Sequence, residues 1–395
     1  MTTQAAMLDS ARKLQKEIVE IRRHIHEHPE LSFFENQTAR LAADRLQNLG
    51  YKVREQVGKT GVTADIGKGT MIAIRADMDG LPIEETNAVG YRSKNVGVMH
   101  ACGHDAHVSC ALAAAKILSG EKLAGSIRML MQPAEEYGDE EGVSGAVRMM
   151  EDGALEGVSA CIGQHIDASL PAGKVGILHG PVMAAVDGFS LVIKGKGGHG
   201  AYPETCVDPI VIASHVVQAI QQVVSRRVSA LDPAVITVGA FHSSSTRGNV
   251  IAEDVRIEGT IRSFNEDVRA HLKVELERAC HVARALGGDF VLKYEQGYPA
   301  TVNDSEIVDV MRAAAIDLIG ADNVVDMRPK TWSEDFAFFG EKVPSAFMFL
   351  GAEIAGDRRS HHSPTFDIDE SGLYVGTAIL AETAKRLIQH FDAKK

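Results

Sequence analysis

The chain has 395 residues, 45% hydrophobic and 24% charged, which excludes a long disordered polymer and predicts two or three domains of about 100–200 residues each. Its formal net charge of −12, with no local Lys/Arg cluster to offset it, excludes a nucleic-acid-binding surface. No apolar run reaches the roughly 18 residues a membrane helix needs.

Five scattered cysteines, Cys102, Cys110, Cys161, Cys206 and Cys280, make no disulfide framework and predict reduced thiols in a cytoplasm. The N-terminal stretch carries charge where a signal peptide would need its apolar segment.

Leu8, Leu14, Ile18, Ile21 and Ile25 recur at helical spacing and predict an amphipathic helix over 8–28, ending before Pro29. A second helix over 36–49 stops at Gly50. Short apolar runs then alternate with helical patterns such as 104–119 and 142–151. The runs at 71–76, 126–131 and 158–163 lead directly into Asp77 and Asp79, Glu135 and Glu136, and His165. The run at 346–351 precedes His361 and His362 by about ten residues. This order predicts an α/β fold with a mostly parallel sheet, its chemistry beyond the carboxyl ends of the strands.

The middle of the chain reads strand (from 187), helix (208–227), strand (234–241), strand (254–262), helix (267–287) and strand (290–296). That is the β-α-β-β-α-β order of a ferredoxin-like unit. Lying between two stretches of α/β pattern, it predicts an inserted domain over 187–296 and a discontinuous one over 1–186 and 297–395.

The densest chemical signal, His100-Ala-Cys102-Gly-His104-Asp105-Ala-His107, brings a thiol, three imidazoles and a carboxylate together. Any one of these residues alone reads as core or surface. Together with Asp77, Glu135, Glu136, His165, His361 and His362 they read as metal ligands, because zinc and its neighbours take Cys, His and carboxylate donors. Paired Cys-x-x-Cys spacing, usual in structural zinc sites, is absent, and Cys102, His104, Glu136, His165 and one of His361/His362 are too many for one tetrahedral ion. Two ions sharing a bridging Cys102 thiolate use them all. An extended backbone at Glu135-Glu136 would send the two side chains to opposite sides, one to metal and one free to move protons.

The elements RADMDGLP (75–82), MHACGHDAH (99–107), QPAEE (132–136), GQH (163–165), GKGGHGAYP (195–203), NVIAE (249–253), GTIRSF (259–264) and HHSP (361–364) resemble the aminoacylase, hippurate hydrolase and indole-acetyl-amino-acid hydrolase branch of the M20 metallopeptidases. The resemblance runs from about His24 to about Pro364 in the expected order. It implies metal ligands at Cys102, His104, Glu136, His165 and His362, the last chosen over His361 because it precedes Ser-Pro. It implies the general base at Glu135, substrate contacts at His199, Asn249 and Arg262, and Asp79 orienting a ligand. Asp77 stands where the wider family has a metal-binding His, and Cys102 where it has a bridging Asp.

The implied cofactor is two divalent ions per subunit, zinc by the softness of the thiolate, with manganese, cobalt or nickel open. The implied substrate is an N-acyl amino acid. The implied assembly is a homodimer or tetramer through the inserted lid domain, which can deliver His199 across the interface. Tyr202 and Trp332 are candidates to line the pocket. A metallo-carboxypeptidase or dipeptidase is the neighbouring alternative. A cysteine hydrolase built on Cys102 leaves Glu135, Glu136, His165 and His362 without a purpose, and a non-catalytic binding protein has no need of a proton-moving carboxylate at Glu135.

Overall fold

The computed structural model describes residues 3–394; the expected domain limits at 1 and 395 lie outside the described residues. The chain divides into two compact units. The first is formed by the stretches up to Val182, Val302–Arg328 and from Asp335 onward, and the second by Met183–Thr301 and Pro329–Glu334. The second unit is thus wider than the 187–296 expected, and it takes in a short return segment that carries no sequence signal.

In the first unit, four parallel strands form the middle of an eight-stranded sheet: Ser126–Gln132, Met71–Asp77, Val158–Pro171 and Ser345–Glu353, side by side in that order. Their residues are almost continuously buried, as strands covered on both faces must be. Gly61–Gly67 and Lys52–Val57 extend one edge antiparallel. Val175–Gly176 and Val324–Val325 finish the other.

The helices Thr3–Glu27, His104–Ser119 and Leu373–Asp392 pack on one another, burying Ile18, Ile21 and Ile25 from the first. The first helix stops ahead of Pro29, which has no amide to donate. Asn36–Asn48 ends at Leu49, and Gly50 follows at φ +85, a conformation glycine adopts without steric cost.

The second unit has a four-stranded antiparallel sheet in the order Ala234–Ser243, Asp254–Ser263, Ala185–Lys194, Asp289–Gln296. With the helices Pro209–Arg227 and Glu266–Cys280 it realises the β-α-β-β-α-β order. Alternate residues of Ala185–Lys194 are buried, the pattern of a sheet with one covered face. Both helices start on side-chain caps, Asp208 accepting from the Ile210 amide and Asn265 from Asp267 and Val268. The single helix expected over 267–287 is broken instead. The His281 amide bonds the Arg278 carbonyl, tightening the last turn, and Val282–Ala285 follows as a separate short helix.

None of the five cysteines forms a disulfide. No helix of the described residues is long and apolar enough to cross a membrane.

Candidate metal centre

His104 opens the Ala-rich, almost wholly buried helix His104–Ser119. Gly103 before it has φ +97, and a Cβ there would come within 3.1 Å of the Ile166 Cβ; only glycine fits this turn between Cys102 and His104. His104 Nδ1 donates to the Asp79 carbonyl oxygen (2.9 Å) and lies 3.1 Å from Asp79 Oδ1. That fixes the tautomer, so Nε2 is the lone-pair nitrogen. It is buried without a hydrogen-bond partner. Burial opposes a charge on this imidazole, but Asp77 and Asp79 outweigh it and hold its pKa up at about 10. A metal cation in place of that proton would meet the same carboxylates.

His165 does not follow its strand but lies within Val158–Pro171, opposite Phe349 of Ser345–Glu353. Its Nδ1 donates to the Ile166 carbonyl (2.7 Å), and its Nε2 stands 3.4 Å from Cys102 Sγ. Burial lowers its pKa to about 4, keeping the ring in the neutral form that ligates metal.

Glu135 and Glu136 do not lie on an extended backbone. Ala134 before them is left-handed at φ 49, the chain bends, and both carboxylates turn toward the same imidazole. His104 Nε2 is 4.0 Å from Glu135 Oε2 and 3.9 Å from Glu136 Oε1. The expectation of opposed side chains is therefore corrected by the left-handed turn at Ala134. Asp79 Oδ2 accepts from the Glu136 amide (3.0 Å) and from Ser32 Oγ (2.7 Å), so one carboxylate steadies both His104 and the Glu136 backbone.

The two adjacent histidines separate cleanly. His362 is half-exposed, with Nε2 3.2 Å from Glu136 Oε1, and its amide donates to the Ala101 carbonyl (2.8 Å), tying this loop to the Cys102 segment. His361 is turned inward between the rings of His165 and Phe366, and its Nε2 accepts from the Ala168 amide.

Of the five clusters of candidate donors among the described residues, two meet at Cys102. Cys102, His104 and His165 form one, and Cys102, Glu136 and His362 the other, with the ligand atoms of each within 4.8 Å of one another. The donors are the thiolate, imidazole and carboxylate types that first-row divalent ions take, and one of them, His104 Nε2, is otherwise orphaned. The residues fit two ions sharing the sulfur.

Asp77 and His107 are differently employed. His107 Nδ1 lies 2.6 Å from Asp77 Oδ1, and its Nε2 accepts from the Ile166 amide (2.8 Å), so both ring nitrogens are occupied. Arg75 Nη1 meets Asp77 Oδ2 at 2.7 Å. Burial works against the Asp77 charge, yet Arg75 and the histidines depress its pKa well below the usual carboxylate range. His100 is buried with neither nitrogen hydrogen-bonded, and burial lowers its pKa to about 4. Sequence reasoning missed Glu35, a wholly buried carboxylate that accepts from the Ala134 amide (2.8 Å). Placed just before a helix, it reads as an ordinary N-terminal acid.

In the second unit, the short strands Gly198–His199 and Val250–Ile251 pair, and the Gly200 amide donates to the Asn249 carbonyl (2.8 Å). His199 and Asn249 are thereby exposed neighbours across this two-stranded ladder, with the Tyr202 ring 5.6 Å from that of His199. His199 Nδ1 accepts from the Ala201 amide (3.1 Å), which leaves Nε2–H as an outward donor. Arg262 stands apart from them on Asp254–Ser263, half-buried, bonded to Thr260 Oγ1 and the Ile261 carbonyl. No described carboxylate lies within ion-pair distance of it, and burial lowers its pKa. Trp332 lies in the short return segment, its carbonyl accepting from the Ala184 amide.

A parallel α/β unit carrying clustered Cys, His and Glu donors, interrupted by a ferredoxin-like unit, defines a metallo-amidohydrolase. The chain belongs to peptidase family M20/M25/M40, whose model it matches over residues 73–386, and to the aminoacylase-like branch of it. It is 42% identical to the N-acetyl-L-cysteine deacetylase of Bacillus subtilis, covering 97% of this chain and 91% of that one. It is 40% identical to thermostable carboxypeptidase 2 of Saccharolobus solfataricus (93% and 94%) and 37% identical to IAA-amino acid hydrolase ILR1-like 4 of Arabidopsis thaliana (95% and 87%). Among solved structures, a dinuclear metal-binding M20 peptidase of Bacillus subtilis superposes with a TM-score of 0.82 at 33% identity, covering 95% of this chain and 99% of that one.

Proposed function

We propose that the protein is a binuclear metal-dependent amidohydrolase that cleaves N-acyl amino acids to a carboxylic acid and a free amino acid. The observation that carries this reading is the pair of donor sets meeting at Cys102, with Glu135 beside them. Cys102, His104 and His165 would hold one ion, and Cys102, Glu136 and His362 the other. Bound there, divalent ions supply Lewis acidity, lowering the pKa of water toward neutrality and polarising the amide carbonyl.

Glu135 Oε2 takes the proton of the attacking water and returns it to the leaving amine. His199 Nε2–H donates to the oxyanion that develops on the carbonyl oxygen. Arg262, with no carboxylate of its own, and Asn249 hold the substrate's free carboxylate. The second unit serves as lid and as the surface of a homodimer.

The similarity to a deacetylase and to an IAA-amino acid hydrolase favours a small acyl group over a peptide. The comparable identity to a carboxypeptidase keeps peptide substrates as the second reading. The test is amino-acid release from benzoyl-glycine, acetylated amino acids, an indole-acetyl conjugate and a dipeptide. Chelator-stripped protein is assayed first, then protein resupplied with zinc, manganese, cobalt or nickel. Metal-restored release from acyl conjugates is the expected result. Preference for the dipeptide selects the second reading, and metal-independent turnover defeats both.

A further inference from the structure

Glu35 occupies the position just before the helix Asn36–Asn48, where an acidic side chain ordinarily caps the first turn. It makes no capping bond. Its side chain is turned inward and wholly buried, with Oε1 accepting from the amides of Ala134 (2.8 Å) and Phe33 (2.9 Å), and Oε2 from Thr60 Oγ1. Both amides belong to non-glycine residues in the left-handed region, Ala134 at φ 49 and Phe33 at φ 63. Such conformations persist only where surrounding bonds hold them.

Glu135 is bracketed as a result. The amide before it is held by Glu35, and the amide after it, that of Glu136, by Asp79 (3.0 Å). The two brackets differ in one respect. Asp79 also touches His104, whereas the hydrogen bonds of Glu35 run to the Phe33 and Ala134 amides and to Thr60.

We infer that Glu35 is a positioning residue for Glu135, acting as a hydrogen-bond acceptor through the backbone of Ala134. The inference rests on the role given to Glu135 above. Burial and the nearby Asp79 carboxylate push the Glu35 carboxyl up to about 7, so its negative charge is costly at this place while its acceptor oxygen is in use. Glutamine offers the same acceptor without the charge.

The test compares Glu35→Ala and Glu35→Gln in the full chain loaded with zinc, with Glu35→Asp to stand in if the alanine variant fails to fold. A displaced catalytic group costs on the order of 10²-fold in rate. Glu35→Ala is therefore expected to lose about that much kcat at unchanged KM and unchanged metal content, and Glu35→Gln to keep most of it. Glu35→Asp, whose oxygen is drawn back by one methylene, is expected to fall between.

Hydrogen exchange of the metal-free protein gives a readout independent of turnover. The segment 130–138 should lose protection in Glu35→Ala and keep it in Glu35→Gln. Unchanged protection and kcat in Glu35→Ala, or unchanged kcat in Glu35→Asp, overturn the inference. So does a glutamine variant as impaired as alanine, or loss of metal together with kcat. Loss of protection beside a wild type inert to every N-acyl amino acid would strike the functional reading and support the tether.

Discussion

Cys102 Sγ lies 3.4 Å from His165 Nε2, and the same sulfur falls within 4.8 Å of ligand atoms of both Glu136 and His362. A donor common to two sets cannot be removed without loosening both. Cys102→Ala is therefore expected to drop bound zinc from about two ions per chain toward none, because binding depends on the complete deprotonated donor set. His362→Ala, at the half-exposed end, should remove about one. Elemental analysis of desalted protein reads the difference. A Cys102→Ala protein that still carries two ions would show that the sulfur is not shared.

Glu135 approaches His104 Nε2 to 4.0 Å yet belongs to neither donor set that meets at Cys102. Replacing its carboxylate by an isosteric amide should leave those donors intact. Glu135→Gln is expected to bind the same number of ions and lose about 10²–10⁴-fold in kcat, the usual contribution of a positioned general base. Near-normal kcat in a fully loaded Glu135→Gln protein would sink the assignment.

Much of this arrangement is written in local sequence, and the exceptions have physical causes. Strands such as Met71–Asp77 and Ser126–Gln132 are legible because both faces are buried and their apolar runs are unbroken. Lys52–Val57 is mostly exposed and Val175–Gly176 is two residues long, so neither leaves a periodic signal. Cys102, His104, Glu136 and His165 are legible by chemistry and density. What separates His362 from His361 is packing, since His361 is committed to His165 and Phe366, and packing has no signature in two adjacent identical letters. The left-handed turn at Ala134 likewise hides from the sequence that Glu135 and Glu136 converge. Arg22 reads as a solvent-facing helix residue but is wholly buried, paired with Asp105 and Asp367, partners 83 and 345 positions away.

Arg262 is half-buried with its guanidinium unmatched by any described carboxylate within ion-pair distance. Half-burial with only the more distant Asp187 as counter-charge lowers its pKa, so its desolvation is not fully offset, and a substrate carboxylate would relieve that cost. A hydrogen bond to a charged partner contributes about 1.5–3 kcal/mol, so Arg262→Ala should lower kcat/KM for benzoyl-glycine about 10- to 150-fold, chiefly through KM. The variant should also lose the preference for benzoyl-glycine over benzoyl-glycinamide, which has no carboxylate. Equal discrimination in wild type and variant would return Arg262 to a purely structural role.

Asp187 binds the second unit together from its first strand. It is 2% exposed, accepts from Arg269 Nε (2.9 Å) and Nη2 (2.6 Å), from the Tyr294 hydroxyl and from the Gly297 amide (3.0 Å), and so joins one helix to two strands. Burial alone would raise its pKa, but these donors outweigh burial and lower it. With the folded value below the unfolded one of about 3.9, the unfolded chain binds more protons in acid. The contribution to stability is therefore whole above about pH 4 and drains away as pH falls through the folded value. Asp187→Ala leaves the buried Arg269 only the exposed Glu266 carboxylate (3.3 Å) and the Gly297 carbonyl, at a cost of up to about 3–5 kcal/mol, the range for a buried pair that loses one partner. The chain's one tryptophan, Trp332, lies in this same unit, so its fluorescence reports the unit's unfolding. In wild type the denaturant midpoint read by Trp332 should fall below about pH 4; in Asp187→Ala it should start lower at neutral pH and fall less with acid. A variant whose midpoint matches wild type at pH 7 would mean that Glu266 suffices for Arg269 and that Asp187 does not hold the unit.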